Sequence, residues 1–175
     1  MSFSTYPQMD YQVSQFEIRP LADRIFSRSR GEARLGWIKA LFTGKMRMPA
    51  LSKRLAGRVI LGQHSLGMGS IEIDRIVGTE SRANDFDADF KPRHDHMRER
   101  WTHIAEMLLS QVTLPAIDLI QVGNEYFVRD GHHRVSVARA LGSAFIDAQV
   151  THIEVGDYVN SRKNDPAALR YTANK

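Results

Sequence analysis

Apolar residues recur along this chain with two different periods. From Leu21 to Ala56 the period is helical, and Leu35, Ile38, Ala40, Leu41 and Phe42 make one face with Trp37 nearby. Spacings of three and four residues put side chains on one side of a helix. Gly44 ends that run, and Pro49 fits the first turn of a shorter helix holding Leu51, Leu55 and Ala56. The glycine-rich stretch Gly62–Gly69 reads as a loop or linker. From Ile71 to Val77 apolar and polar residues alternate, which predicts a strand ended by Gly78. The polar loop 81–90 carries two aromatic anchors, Phe86 and Phe90. Between His94 and Ser110 the helical period returns. Met97, Trp101, Ile104, Ala105 and Leu108 share one face, and Arg98, Glu99, His103 and Glu106 the other. Leu114–Val122 predicts a strand entered through Pro115. Gly123-Asn124 is a two-residue hairpin turn, and Tyr126–Arg129 returns antiparallel. Val135, Ala138 and Leu141 predict a helix over 132–141, stopped by Gly142. Phe145–Val155 gives one or two further short strands. The first twenty residues and the tail after Asn160 are polar and irregular, with room for a short helix between Pro166 and Tyr171.

From Ile71 the order is strand, helix, strand, strand, helix, strand, an α+β domain built on a small mixed sheet with packed helices. The expected partition is a basic, mainly helical segment over 1–62, the α+β domain over 70–156, and a polar tail over 157–175. A chain of 175 residues suits one such domain with an appendage.

Composition narrows the classes. With 42% hydrophobic and 25% charged residues the chain reads as a globular protein. It has no cysteine, which excludes disulfides, thiolate metal sites and cysteine nucleophiles. No apolar run approaches the ~18 residues of a membrane span, and Met1–Asp10 lacks a signal-peptide core. The expectation is a cytoplasmic protein, bacterial in style, with no membrane partner. The net charge of +4 is unevenly spread. Arg19–Arg58 holds eleven Lys and Arg against Asp23 and Glu32, a local +9 that leaves −5 for the rest. Such a segment either faces a polyanion such as DNA or is a solvated basic surface. If DNA is the partner, Arg47, Lys53 and Arg54 are the candidate contacts, and binding should weaken with salt. The two short helices do not carry the turn chemistry of a helix-turn-helix, and no recognition helix is assigned.

The densest chemistry lies in Asp130-Gly131-His132-His133-Arg134. Gly131 sits in a strand-to-helix turn and permits close backbone approach. His132, His133 and Arg134 fall in the first helical turn, where backbone N–H groups are free and the dipole is positive. A guanidinium binds phosphate oxygens in pairs, so this turn is a candidate phosphate site. Arg82 is placed to reach it from the facing loop. Asp130 could cap the helix or act on a metal or hydroxyl. Asp130 and Glu72 are the candidate catalytic carboxylates, with Asp74, Asp85 and Asp87 as further general bases. No protein metal site is assigned. His94 and His96 are two apart and so on different helix faces, and no His-Glu-x-x-His pattern occurs to join His103, His132 and His133. Gly62–Gly69 lacks the Lys-Ser/Thr ending of a phosphate-binding Walker loop.

The segment Leu114-Pro115-Ala116-Ile117-Asp118-Leu119, then Tyr126-Phe127-Val128-Arg129-Asp130-Gly131-His132-His133-Arg134, Ala138 and Leu141-Gly142 resembles the ParB/sulfiredoxin superfamily. Ile73-Asp74-Arg75-Ile76, followed by Arg82 and Phe86, is similar to that family's first strand and Arg-containing loop. The resemblance spans 71–155 and leaves out the basic N-terminal segment. It implies a small α+β fold whose motif helix binds nucleotide phosphates: CTP in ParB proteins that clamp DNA, ATP in sulfiredoxins, and ADP in archaeal relatives that phosphorylate serine. His132 stands at the sulfiredoxin cysteine, so the resemblance does not carry sulfinic acid reduction. His132-His133 also replaces the Glu-Arg of the usual ParB motif Gly-Glu-Arg-Arg, a form nearer the kinase-like and uncharacterised branches.

Two expectations follow. One is a ParB-like nucleotide-phosphate-binding protein associated with DNA, of the partition or transcription-regulator kind, with a homodimer as a further expectation. The other is a small enzyme of the same fold, an NTPase or an ATP/ADP-dependent kinase of a small hydroxyl compound. Either would use CTP or ATP/ADP with Mg²⁺ held mostly by phosphate and water. A nuclease is a third reading, without the clustered carboxylates that metal-assisted hydrolysis needs.

Overall fold

The computed structural model describes residues 15–43 and 48–157. Gly44, Arg47, residues 1–14 and the tail beyond Asp157, with its expected helix, lie outside the described residues.

The first helix, α1 (Gln15–Thr43), begins inside the stretch expected to be irregular and runs through Pro20. Proline lacks an N–H, so the carbonyl four residues back loses its helical partner. Packing overrides that cost. Ile18, Ala22, Phe26 and Ser29 are buried at helical spacing, and the Phe26 ring meets Trp101 edge-on at 5.5 Å. Leu35, placed by its spacing on an apolar face, is exposed. A short helix α2 (Leu51–Leu55) follows Pro49 as expected.

The expected loop at Gly62–Gly69 is a strand. It lies within β1 (Arg58–Glu72), which pairs antiparallel with β5 (Phe145–Asp157) along its length. The boundary expected between 62 and 70 therefore falls inside the sheet. Local composition gave no sign of this, because the partner strand is far away in sequence. Glycines that weaken an isolated strand are tolerated at an edge and at bulges, and the register slips at Ile60/Gly62 and Ser65/Gly67. The strand expected over Ile71–Val77 is in fact split. β1 ends at Glu72, Ile73–Arg75 form a 3-10 turn, and β2 (Ile76–Thr79) follows. Gly78 does not end β2 but lies within it. A Cβ there would meet the Phe127 ring at 2.9 Å and the Pro49 carbonyl.

The remaining elements match the sequence pattern closely. They are α3 (Arg98–Leu109), β3 (Ile117–Val122), β4 (Glu125–Asp130) and α4 (His132–Ala140), and the run after Phe145 is one strand rather than two. The sheet order is β1-β5-β3-β4-β2. β3–β4 and β1–β5 are antiparallel, whereas β3–β5 and β2–β4 are parallel. The fold is thus mixed α+β, a five-stranded mixed sheet with packed helices. Adjacent residues of a strand face opposite sides. Leu119 accordingly joins the main core with Phe26, Trp101, Val135 and Ala138, while Ile120 joins a smaller cluster under Leu51 of α2. Among the described residues no helix is long and apolar enough to cross a membrane.

Candidate functional site

The β4–α4 turn is fixed by Gly131. Its φ of +95° is left-handed, and an added Cβ would lie 2.8 Å from Cβ of Ile117. Only glycine meets both conditions without strain. The turn delivers His132, His133 and Arg134 into the first turn of α4, and among the described residues no side chain caps it. Asp130 does not take the capping role. Its Oδ2 instead accepts from Nη2 of Arg134 at 2.7 Å. Nη1 of Arg134 donates to the Pro115 carbonyl and, at 2.8 Å, to that of Ala116. Arg134 therefore staples α4 to the chain entering β3, with Asp130 on its outer side.

Arg82, Arg100, Ile104, Asp130, Gly131, His132, His133 and Arg134 line one small cleft, with a cavity volume of about 30 Å³. The structure thus brings together five expected phosphate-site residues and one catalytic candidate, Asp130. Three arginines reach the cleft from three separate elements. Arg134 and Arg82 are each paired, the latter with Asp85 at 3.2 Å. Arg100 is exposed and forms no ion pair among the described residues.

The two histidines differ in their bonding. Nε2 of His132 lies 2.6 Å from Oγ1 of Thr79. That oxygen already accepts from the N–H groups of Ser81 and Arg82 at 3.2 and 3.0 Å. Its lone pairs are then occupied, so its proton points at Nε2, which accepts. This assigns His132 as a neutral imidazole protonated on Nδ1. Burial lowers its pKa to about 4, aided by the Arg82 charge. His133 is also held at about 4, first by burial and then by Arg100 and Arg82. Its Nδ1 is buried without a hydrogen-bond partner, and its ring meets Phe86 edge-on at 5.4 Å.

Glu72 is not part of this cleft. It is exposed at the end of β1, opposite Phe145, and the adjacent Ile73 bonds to Ala144 beyond the C-terminal end of α4. Asp74 borders a separate groove at that far end. Asp87 serves its own loop, its Oδ1 accepting from the N–H groups of Asp89 and Lys91, and burial raises its pKa. Thr79 and Arg100 escaped the sequence reading. Arg100 lies one helical turn from Ile104, a spacing that is legible, but no local pattern says which helix face meets the motif.

Among the described residues, three arginines of the basic segment are engaged with the body. Arg19 pairs with Glu106 at 2.9 Å and Arg30 with Asp95 at 2.6 Å, while Arg28 pairs within α1, with Glu32 at 3.1 Å. Arg54 pairs with Glu125 at 2.6 Å, whereas Lys53 is exposed. Arg47 lies outside the described residues. Among the described residues no three His, Asp or Glu side chains converge as a metal site.

No protein-family model, no curated protein and no solved structure matches this chain.

Proposed function

We propose that this chain is a ParB-like protein of the ParB/sulfiredoxin kind of fold, binding nucleotide phosphates at the N-terminal end of α4 and associating with DNA through its basic segment. The observation that carries the reading is the convergence of Arg82, Arg100 and Arg134 on a turn of uncapped backbone N–H groups. Helix N-termini favour anions, and charge-assisted donors strengthen that preference. The cleft takes the phosphate end of a ligand, and the base and sugar extend outside it. Mg²⁺ would arrive on the phosphates. The binding reading is preferred to the kinase or NTPase reading because Asp130 and Asp85, the nearest carboxylates, are each held by an arginine. A general base must be free to take a proton.

Calorimetric titration with ATP, ADP, CTP and GTP, with and without Mg²⁺, tests the site. Arg100→Ala is the informative variant, since Arg134 also supports the fold. It should weaken binding roughly tenfold, the value of one lost charge-assisted contact, at unchanged melting temperature. Absence of binding by every nucleotide would overturn the site. Retained affinity in Arg100→Ala would remove that residue from it. DNA association is read separately, as affinity that falls with salt and falls further in Lys53→Ala.

A further inference from the structure

The two edges of the sheet are treated differently. β2 has four residues, and its outer side is partly covered. The Thr79 N–H donates to the Pro49 carbonyl at 2.9 Å, and Ala50 bridges to Thr79. β1 is the opposite edge. It runs for fifteen residues and, among the described residues, pairs with β5 alone. Long open edges invite pairing with another chain, and proteins usually interrupt them with lysine, proline or inward charge. β1 has no lysine and no proline. It also carries four exposed large apolar side chains, Ile60, Leu61, Leu66 and Met68, with exposures of 54 to 65%. Leu61 and Leu66 are the residues that the two bulges leave without a partner on β5.

The charges on this strand specify what could cover it. Its only ionised side chains are Arg58 and Glu72, at its two ends and equidistant from Ser65. We propose that two copies of this chain pair antiparallel through β1, centred on Ser65, so that the sheet continues across both. Arg58 then faces the partner's Glu72, and Glu72 faces the partner's Arg58. A parallel pair would instead set like charges together at both ends, which is unfavourable. The pairing satisfies the outer backbone groups of β1 and withdraws the four apolar side chains from water. A two-fold contact of this kind is self-complementary and closes at two copies.

Sedimentation equilibrium of the full chain should give a dimer, twice the 19.9 kDa chain mass. Leu66→Lys with Met68→Lys should give a monomer with unchanged circular dichroism and melting temperature in dilute solution, because both side chains are already exposed. Arg58→Glu should weaken the dimer several-fold, and Arg58→Glu with Glu72→Arg should restore it, because the swapped charges meet again. A wild-type chain that stays monomeric throughout the micromolar range overturns the proposal, even if it captures some other protein. So does a dimer indifferent to the lysine substitutions. Failure of the charge swap to restore a dimer that Arg58→Glu has weakened overturns the antiparallel register.

Discussion

At the N-terminal end of α4, Arg134 donates to the carbonyls of Pro115 and Ala116. At the C-terminal end, Arg139 donates to those of Ile73 and Ile76, at 2.9 and 2.8 Å. Both arginines fasten the helix to a neighbouring segment through backbone carbonyls, those of buried Ile73 and Ile76 at one end and of exposed Pro115 and half-buried Ala116 at the other. The surroundings then diverge. Around Arg139 the guanidinium lies 5.0 Å over the Phe90 ring, and burial lowers its pKa. In the nearby groove Glu32 is held by Lys91 and Arg28, while Asp74 and Arg139 line it without an ion pair among the described residues. Around Arg134, among the described residues, no side chain caps the helix end, Arg100 forms no ion pair, and Nδ1 of His133 has no hydrogen-bond partner. The far end also keeps polar atoms without a partner among the described residues, Nε of Arg139 and Oγ of Ser143, so the two ends differ in the open helix N-terminus and the Arg100 cation and not in unsatisfied polar atoms as such. The motif's arginine is one of the clamps, and the loosely held cation comes from α3.

The glycines at the two ends give the sharpest contrast. Gly131→Ala meets both a left-handed φ and the Ile117 side chain, and should cost roughly 3 kcal/mol or more. Gly142→Ala has a φ of +76° but nothing within 4 Å, and should cost about 1 kcal/mol. Urea denaturation of the two variants measures the difference, and equal losses would break the comparison. Next comes Thr79→Val, which leaves Nε2 of His132 and two N–H groups without their shared partner. A loss of about 2 kcal/mol is expected, with the β4–α4 turn loosened in hydrogen exchange. Arg134→Met and Arg139→Met should each cost about 1–3 kcal/mol by stranding carbonyls. A large loss for one and none for the other would show that the clamps are not equivalent.

Acid should act first on the motif end, before it reaches the lowered carboxyl of Glu32 at the other. His132 and His133 ordinarily titrate near 6.5 but are held at about 4 in the folded chain. Between those values the unfolded chain binds protons that the folded one does not. The stability these groups contribute is full above pH 6.5 and is lost as the pH falls towards 4. His133→Gln should flatten that decline, and an unchanged melting-temperature profile from pH 7 to pH 4 would contradict the burial argument. The smallest effect belongs to Glu72→Gln. Exposed and remote from the cleft, it should change stability by less than about 0.5 kcal/mol and leave nucleotide affinity unaltered.

Where sequence and structure agree, the signals were local. The hairpin at Gly123-Asn124, the apolar stripe of α3 and the strand–turn–helix around Gly131 each follow from a period or a turn residue within a few positions. Asp130, His132, His133 and Arg134 were legible as a cluster for the same reason: the turn brings them together whatever the rest of the chain does. β1 was hidden because its strand character rests on β5, which supplies its ladder from more than seventy residues away. The first twenty residues read as irregular, yet contacts of Ala22 and Phe26 with the core carry α1 back through Pro20. Charge misled similarly. The density of arginines in the first sixty residues was plain, but which of them are neutralised depends on Glu106, Asp95 and Glu125 arriving from other elements.

The motif turn, the helices with a continuous apolar stripe and the excess of positive charge follow from neighbours along the chain. That Arg134 supports the fold while Arg100 faces the cleft without an ion pair among the described residues, that Thr79 fixes the tautomer of His132, and that β1 lies at the sheet edge follow from the folded arrangement. Those outcomes depend on which distant groups meet, and long-range pairing and burial, not local propensity, select among them.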